Sequence, residues 1–269
     1  MKKQKFLFAT RFAINATLFQ CTLHLNQKNV NQYLHLTLMK KLKNITLNDA
    51  AKNGSLACLK YAHEIIKATS CNKTLCFAAR SGSLKCLKYA HNVIGATDFY
   101  NYTLYYAAES GNIACLKYAH EIIKSTDVLK YILSCAARSG SLACLTYAYN
   151  VIGATDVNNS TLCNAARSGS LDCLTYAFNI IKATDNNHTL CFAARSGSLA
   201  CLKYAHNVIG VTDINNNTLG SAARSGSLAC LKYAHEIIQA TDLHKYTLCN
   251  AESSKNVFCI EYCKKHFFL

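Results

Sequence analysis

The sequence repeats itself about every 29 residues, and this self-similarity limits the possible fold more than any other feature. Each copy contains Thr-Leu, then Ala-Ala, a single Gly, Cys-Leu-x-Tyr and finally an Ile/Val pair. A fixed period of this length is the signature of a solenoid, in which each unit packs on its neighbours. The glycines that mark equivalent turns are Gly54, Gly82, Gly111, Gly140, Gly169, Gly197 and Gly226.

One copy, from Thr74 to Tyr102, predicts two helices joined by a tight turn. Thr74 suits the N-cap of the first helix, because its hydroxyl can accept a hydrogen bond from a free N–H of the first turn. The first helix is expected to stop at Ser81-Gly82, where Gly tolerates a left-handed conformation. Neither helix can bury its apolar stripe alone, so neighbouring copies must stack. The stripe of the second helix is predicted to be Leu84, Leu87, Ala90, Val93 and Ile94.

The pattern Thr-Leu-x-x-Ala-Ala-x-x-Gly-x-Leu-x-x-Leu, repeated from Thr46 to about Cys263, resembles the ankyrin repeat. The chain departs from that family because it contains no proline, and because its period is shorter than the ankyrin period of about 33 residues. Its second helix is also expected to run on through Glu-Ile-Ile-Lys, where ankyrin repeats place a Gly. We therefore expect the β-hairpin of each repeat to be reduced to a loop. Similar short repeats occur in large ankyrin arrays of giant DNA viruses and some protists.

The predicted fold is all-α, an ankyrin-like α-solenoid of stacked helix-turn-helix repeats with reduced or absent β-hairpins. Residues 1–45 contain no clean repeat and are expected to form an irregular helical N-terminal cap. Residues 46–246 carry seven repeats. Residues 247–269 carry a degenerate eighth repeat, in which Glu252 replaces an Ala and Lys255 replaces the Gly. Since end repeats need a polar outer face, this segment is predicted to be the C-terminal cap.

The 16 cysteines do not predict a disulfide framework. Equivalent positions in stacked repeats lie about 8–10 Å apart, which exceeds the limit of about 7 Å between Cα atoms for a disulfide. The repeated cysteines are therefore expected to be small buried hydrophobic residues with free thiols. Free thiols indicate a reducing, intracellular compartment such as the cytoplasm, including that of a host cell. Eight of them share one position of the second helix: Cys58, Cys86, Cys115, Cys144, Cys173, Cys201, Cys230 and Cys259.

No residues predict catalysis, a cofactor or a metal site, so the chain is expected not to be an enzyme. The recurring Ser-Gly-Ser is interpreted as a turn, because no strand precedes it and no acid–base pair accompanies it. The local cluster of Cys259, Cys263 and His266 is a weak metal candidate. Tyrosines of the second helices are expected to pack between repeats with the hydroxyl toward solvent. Histidines at one helix position, which Tyr149 and Phe178 fill elsewhere, are interpreted as packing residues: His63, His91, His120, His206 and His235.

A row of arginines is the first candidate for binding a partner. In ankyrin repeats the two residues between Ala-Ala and Gly face the binding groove, so the resemblance places this row on the binding side. Lys52 is the basic equivalent in the first repeat, and Glu109 is the exception. The alternative role is to complement the helix dipole, which is worth about 0.3–1 kcal/mol per charge. The arginines of this row are Arg80, Arg138, Arg167, Arg195 and Arg224.

Aromatic residues around the third repeat are the second candidate, since aromatic side chains dominate interface hot spots. They depart from the Asn-rich loops of later repeats. Tyr105 aligns with Cys76 and is expected to substitute in the core. Simple loop packing is the alternative for the others. The candidate partner-binding aromatics are Phe99, Tyr100, Tyr102, Tyr106 and Tyr131.

The function expected from these features is a non-catalytic scaffold for protein–protein interaction. The formal net charge of +15 favours an acidic protein partner. One alternative is a basic solenoid that binds nucleic acid, although no zinc-finger, RNA-recognition or KH signature is present. Another is a substrate adaptor for a ubiquitin ligase, which the resemblance to viral ankyrin arrays implies but for which we find no recruiting motif. A monomer is expected, with no small-molecule substrate and no membrane span, because no apolar stretch is long enough.

Overall fold

The structure is a computed structural model, and within its described residues every regular element is a helix. The described residues belong to one compact unit, Thr46–Leu269. This confirms the all-α part of the prediction, whereas the predicted helical cap over residues 1–45 lies outside the described residues. The described residues are 46–69, 72–125, 129–156, 159–184, 187–213, 216–241 and 244–267.

Each repeat begins with a short first helix, which packs on the first helix of the next repeat. In the fourth and eighth repeats this helix begins about one turn earlier than the repeat pattern predicts, at Leu129 and His244. In chain order the first helices span Leu47–Lys52, Thr74–Arg80, Thr103–Glu109, Leu129–Ser139, Thr161–Ser168, Thr189–Ser196, Thr218–Ser225 and His244–Ser254.

A second helix follows each tight turn, and the packing of sequence-adjacent helices gives the repeat-like helical solenoid that the period predicts. The degenerate eighth repeat retains both of its helices. Three second helices continue into π-helical segments, at Tyr61–Ile65, Ala205–Ile209 and Tyr233–Ile237. In chain order the second helices span Leu56–Lys60, Leu84–Asn92, Ile113–Glu121, Leu142–Asn150, Leu171–Asn179, Leu199–Tyr204, Leu228–Lys232 and Val257–Phe267.

The core consists of equivalent small and aliphatic residues from every repeat. In the second repeat Cys86, Leu87 and Ala90 of the second helix are fully buried, as are Ala78 and Ala79 of the first. Complete burial of a leucine side chain contributes about 1.5–3 kcal/mol. The paired alanines carry almost no side-chain volume, so the first helices of adjacent repeats can approach closely.

The threonine of Thr-Leu is not the N-cap in most repeats, which corrects the prediction. Thr46 is an N-cap, and it forms a capping box with Asp49. Thr74, however, is the first helical residue, and its side chain is completely buried. Buried threonines occupy the same position in five further repeats: Thr103, Thr161, Thr189, Thr218 and Thr247.

An aspartate of the preceding loop caps the first helix instead. The Asp98 carboxylate accepts hydrogen bonds from the backbone N–H groups of Tyr102 and Thr103, at 3.2 and 3.3 Å. Asp156 and Asp213 form the equivalent bonds in later repeats. A negative charge at a helix N-terminus is stabilising because it interacts with the helix dipole and with otherwise unpaired N–H groups.

The second helix ends within Glu-Ile-Ile-Lys, no later than the first Ile, instead of running through it, which also corrects the prediction. It closes with a wide turn, in which the Ile94 N–H donates to the Tyr89 carbonyl at 3.1 Å. Gly95 then takes a left-handed conformation with φ of +70°. Lys67, Lys124, Lys182 and Gln239 take the same left-handed conformation in alternate repeats, so these side chains stand where ankyrin repeats place a Gly.

Candidate partner-binding surface

The arginine row lies at the C-terminal ends of the first helices, immediately before the Ser-Gly turn. Each of its members is exposed, as is Lys52 in the first repeat. Cationic side chains at this end of a helix are favourable because the helix dipole is negative there. The row therefore has the exposure that a binding surface needs. Its charges also stabilise the C-terminal ends of the first helices.

The Ser-Gly-Ser turn fixes the position of each arginine. The Ser81 hydroxyl donates to the Ala78 carbonyl at 2.7 Å and accepts from the Ser83 N–H at 3.2 Å. The Ser83 hydroxyl in turn accepts from the Cys86 N–H at 3.4 Å, which caps the second helix. Gly82 lies between them with φ of +70°. These bonds use both serine hydroxyls in capping, and this confirms the interpretation of the motif as a turn.

The row is interrupted at Glu109. Glu109 Oε2 lies 3.4 Å from Arg80 Nε, and this is the ion pair found within the described ranges. The Arg80 guanidinium also lies over the Tyr106 ring, 5.2 Å from its centroid. The charge of Arg80 is therefore compensated inside the molecule, and Arg80 offers less to an acidic partner than its sequence position suggests.

Arg167 has a different environment. Its guanidinium lies over the Phe192 ring at 5.3 Å, a contact that holds the planar group in place. Partial burial lowers the pKa of Arg167, and the positive charges of Arg138 and Arg195 lower it further. The neighbouring arginines are thus close enough to repel one another, and an anion placed between them would relieve that repulsion.

Arg138, Arg195 and Arg224 are exposed and pair with no carboxylate in the part of the chain that the structure describes. In the repeat after each of these three arginines, the position equivalent to Tyr106 and Phe192 is occupied by a polar residue. These polar residues are Asn164, Ser221 and Asn250. No aromatic ring is therefore available at that position to hold these guanidiniums. The fourth to seventh repeats accordingly present a run of positive charge that no carboxylate among the described residues compensates.

The predicted aromatic residues of the second and third repeats form two edge-to-face ring pairs that are neighbours along the chain. Phe99 contacts Tyr100 edge to face with ring centroids 5.1 Å apart, and Tyr102 contacts Tyr106 at 6.3 Å. Phe99, Tyr100 and Tyr102 are 64%, 43% and 46% exposed. The Lys73 ammonium lies 5.8 Å from the Tyr100 centroid. These residues form an exposed aromatic surface with cationic groups at its edge.

Two other tyrosines have different roles. Tyr105 is half-buried and contacts Tyr106 at 5.2 Å, and burial raises its pKa. It therefore acts as the packing residue that alignment with Cys76 suggests. Tyr131 lies in the first turn of the next first helix and is 38% exposed.

The histidine row is part of the packing between repeats. The Tyr89 hydroxyl donates to Glu64 Oε1 at 2.7 Å, so the His63 Nδ1–H donates to the same hydroxyl at 3.1 Å. Burial and the Glu64 carboxylate raise the pKa of Tyr89 to about 12. The hydroxyl therefore binds the preceding repeat, and the expectation that it points to solvent is wrong. Equivalent His–Tyr bonds join His91 to Tyr118, His120 to Tyr147, His206 to Tyr233 and His235 to Tyr262.

The eight cysteines at the shared second-helix position are buried and free, as predicted. Burial raises the pKa of the Cys115 thiol to about 11, which keeps it protonated and unreactive in the fold. Among the described residues, no group of His, Cys, Asp and Glu has the geometry of a metal site. In the weak candidate cluster, His266 packs on the Tyr262 ring with centroids 4.3 Å apart.

No protein-family model matches the chain, and no curated protein matches it. None of the described helices is long and apolar enough to cross a membrane. The geometry of the residues themselves is therefore the basis for assigning a function.

Proposed function

We propose that this chain is a non-catalytic, ankyrin-like scaffold that binds an acidic segment of a protein partner. The segment lies along Arg138, Arg167, Arg195 and Arg224. The observation that carries the proposal is the contrast within the row, because Arg80 is compensated by Glu109 whereas the later arginines have no acidic partner among the described residues. Exposed like charges at equivalent, rigidly held positions favour a ligand of opposite charge.

The spacing of the row favours a protein ligand over a nucleic acid. Stacked repeats place successive guanidiniums about 8–10 Å apart. An extended acidic peptide advances about 3.3 Å per residue, so a carboxylate at every third residue matches the row. A partner helix rises about 1.5 Å per residue and matches at every sixth or seventh residue. Phosphates along one nucleic-acid strand follow one another at about 3.4 Å of rise along the helix axis, so most of them would face no arginine.

The aromatic surface formed by Phe99, Tyr100, Tyr102 and Tyr106 supports the same proposal. This surface precedes the uncompensated arginines along the array. Tyr131 lies between the aromatic surface and those arginines in the sequence. Aromatic and arginine side chains are the residues most often found at the energetic centre of protein interfaces. The proposed partner segment therefore joins an acidic stretch to an apolar residue that packs on these rings.

The environment of the thiols supports a reducing, intracellular location. Cys115 and its equivalents are buried at positions too far apart for a disulfide, so they contribute as small apolar residues. We expect them to be protected from a thiol reagent in the native protein and to react after denaturation. A ladder of intramolecular disulfides in mildly purified protein would contradict the assignment.

Fluorescence anisotropy with defined probes tests the binding proposal. The first probe is a labelled peptide of Glu-Gly-Ser triplets, with a carboxylate at every third residue, and the second is a single-stranded oligothymidine of equal charge. Reversal of Arg167 and Arg195 to Glu should weaken peptide binding by about tenfold or more, equivalent to about 1.4 kcal/mol. It should also flatten the dependence of affinity on salt, because fewer ion pairs form.

Arg80→Gln combined with Glu109→Gln is the matched control, since it removes an arginine of the same row together with the carboxylate that compensates it. It should leave peptide affinity nearly unchanged. If the double reversal leaves the affinity and the salt slope as they were, the arginines only cap helices. If the oligothymidine binds more tightly than the peptide with the same sensitivity to reversal, the ligand is a nucleic acid.

A further inference from the structure

The interfaces between adjacent repeats differ on the side of the second helices. Between the second and third repeats, the Tyr118 hydroxyl lies 3.0 Å from His91 Nδ1 and donates to Asn92 at 3.1 Å. The Lys88 ammonium lies 5.6 Å from the centroid of the same ring. Four other interfaces have the same three contacts, with Asn or Glu as the acceptor. Their tyrosines are Tyr89, Tyr147, Tyr233 and Tyr262.

The interface between the fourth and fifth repeats lacks two of these contacts. Tyr149 stands in place of the histidine, and Thr146 stands in place of the lysine. The Thr146 hydroxyl donates to the Ala143 carbonyl at 3.1 Å, so it is used within its own helix. In the described part of the chain, Tyr176 keeps one side-chain hydrogen bond, to Asn150 at 3.4 Å.

The interface between the fifth and sixth repeats has the same deficit. Phe178 replaces the histidine and Thr175 replaces the lysine. The Tyr204 hydroxyl accepts one hydrogen bond, from Asn179 Nδ2 at 3.2 Å. The ring contact persists at both interfaces, with centroids 6.3 and 6.4 Å apart. These two, here called the central interfaces, therefore keep the ring contact but lack a hydrogen bond and a cation–π contact.

The buried core does not compensate for this deficit. Leu145 and Leu174, which lie beside the central interfaces, are completely buried, and so are Leu116 and Leu231 in other repeats. Core packing therefore stabilises every interface in the same way. The difference between interfaces comes from the surface contacts, since hydrogen bonds and cation–π contacts both contribute to stability.

The central interfaces also bring like charges together on the side of the first helices. Arg138 and Arg167 meet across one of them, and Arg167 and Arg195 across the other. Partial burial lowers the pKa of Arg167, and the charges of its two neighbours lower it further. Between the second and third repeats, by contrast, Arg80 is paired with Glu109 at 3.4 Å. The interface between the sixth and seventh repeats also joins two arginines, but it keeps all three tyrosine contacts.

We propose that the central interfaces are the weakest in the array and that an acidic protein segment bound along Arg138, Arg167 and Arg195 clamps them. The stability of a repeat array is approximately the sum of its repeats and their interfaces, so a weak interface opens more often than its neighbours. Carboxylates that face three consecutive arginines bridge both central interfaces and replace repulsion with attraction. The clamp rests on the proposed function, whereas the weakness of the central interfaces does not.

The clamp sets a minimum length for the segment. Three consecutive arginines span two steps of about 8–10 Å each. An extended chain advances about 3.3 Å per residue, so about six residues are needed to bridge both central interfaces.

Hydrogen exchange of the full chain, with a reductant present, tests the weakness. The fifth repeat has a central interface on each side, whereas the third repeat has an interface with all three contacts on each side. In a uniform array the fifth repeat would exchange more slowly, because it is farther from the ends, which fray. We expect instead that amides of Leu171–Asn179 exchange about tenfold faster than those of Ile113–Glu121, after correction for intrinsic rates.

Grafting the missing residues assigns the cause. Thr146→Lys with Tyr149→His, together with Thr175→Lys and Phe178→His, gives both central interfaces the contact residues found between the second and third repeats. This variant should slow exchange in the fifth repeat by about tenfold.

The reverse substitution is the matched control. Lys88→Thr with His91→Tyr gives the interface between the second and third repeats the residues of a central interface. It should speed exchange in the third repeat by about tenfold and leave the fifth unchanged. Circular dichroism should show that both variants remain folded.

The Glu-Gly-Ser peptide tests the clamp. At a concentration one hundred times its dissociation constant, it should slow exchange of Leu171–Asn179 by up to about a hundredfold, because a ligand that binds only the closed state stabilises that state in this ratio. Exchange of Ile113–Glu121 should change much less, because Glu109 keeps the peptide from the interfaces of the third repeat. A Gln-Gly-Ser peptide of equal length and concentration should slow neither.

The outcomes separate the two parts of the proposal. Exchange in the fifth repeat of the free protein that is no faster than in the third would overturn the weakness, as would a grafted variant that exchanges like the wild type. A peptide that binds by anisotropy but leaves exchange unchanged would overturn the clamp and leave the arginine row as the binding surface. A peptide that does not bind would refute the proposed function and the clamp with it, while exchange of the free protein would still decide the weakness.

Discussion

Repeated residues have opposite roles in two regions of the molecule. One region is the set of contacts between adjacent repeats, here called the junctions, and the other is the arginine row. At the junctions each residue has its partner inside the molecule, as Tyr89 does with His63 and Glu64. Along the row the same residue type has different surroundings, since Arg80 is paired with Glu109 whereas Arg138 has no carboxylate partner in the described part of the chain. Contacts that are satisfied inside the molecule hold the array together. Uncompensated charge at a uniform position is instead available to another molecule.

Removal of a junction residue should produce the largest change in stability. Leu145 is completely buried, so Leu145→Ala should reduce the free energy of unfolding by about 2–5 kcal/mol. Arg138→Ala, four residues before that repeat's second helix, should change stability by no more than about 1 kcal/mol, through the helix dipole. Urea denaturation followed by circular dichroism measures both. A larger loss for Arg138→Ala would mean that the row is structural.

Removal of the exposed aromatic rings should affect binding and not stability. Tyr100→Ala with Tyr102→Ala should reduce affinity for an acidic partner segment that ends in an apolar residue by roughly 2 kcal/mol or more. The melting temperature should hardly change, because 43% and 46% of these side chains are exposed. Anisotropy with a Glu-Gly-Ser peptide that ends in Trp, against the same peptide without Trp, provides the measurement. A lower melting temperature with unchanged binding would assign these rings to loop packing.

The junctions should differ in their contribution to stability, according to which group accepts the hydrogen bond of the tyrosine hydroxyl. Tyr147 donates to the Glu121 carboxylate at 2.7 Å, whereas Tyr118 donates to the Asn92 amide oxygen at 3.1 Å. Tyr147→Phe should therefore cost about 1–2 kcal/mol and Tyr118→Phe about 0.5–1 kcal/mol, since hydrogen bonds to charged groups are stronger. Thermal or urea unfolding of the two variants gives the comparison. Equal losses would show that the carboxylate adds nothing to the junction.

The left-handed residues should also give a small effect on stability. Lys124→Gly should stabilise the array by about 1 kcal/mol, and Gly153→Lys should destabilise it by a similar amount. An added Cβ at Gly153 would meet no atom within 4 Å, so only the backbone conformation changes. Urea midpoints measure both variants. A loss of stability in Lys124→Gly, or a gain in Gly153→Lys, would contradict the backbone explanation.

The features that local chemistry determines could be predicted from the sequence. A Gly flanked by serines predicts a left-handed turn with a cap on each side, and the Ser81–Ser83 bonds confirm it. The exposure of the arginines follows from their position just before that turn. Burial of Cys115 follows from its place on the apolar stripe.

Other features depend on stacking and could not be predicted from one repeat. The Asp98 cap is one loop away from the helix it stabilises, although the Thr-Asp that recurs at every loop after the first is a signal that could have revealed it. The bond between His91 and Tyr118 joins adjacent repeats, so the pattern of one helix does not contain it. Val93 has helical spacing with the core, but the wide turn after Asn92 rotates it to the surface.

The most direct test of the central claim is to remove the interruption in the arginine row. Glu109→Arg releases Arg80 and makes the row continuous from Lys52 to Arg224. It should raise affinity for a Glu-Gly-Ser peptide long enough to span the array by about tenfold, equivalent to about 1.4 kcal/mol, and steepen the salt dependence. Glu261→Arg makes the same change of charge at an exposed position away from the row, and it should have little effect. Equal gains from both variants, or no gain from Glu109→Arg, would contradict the assignment of this row as the binding surface.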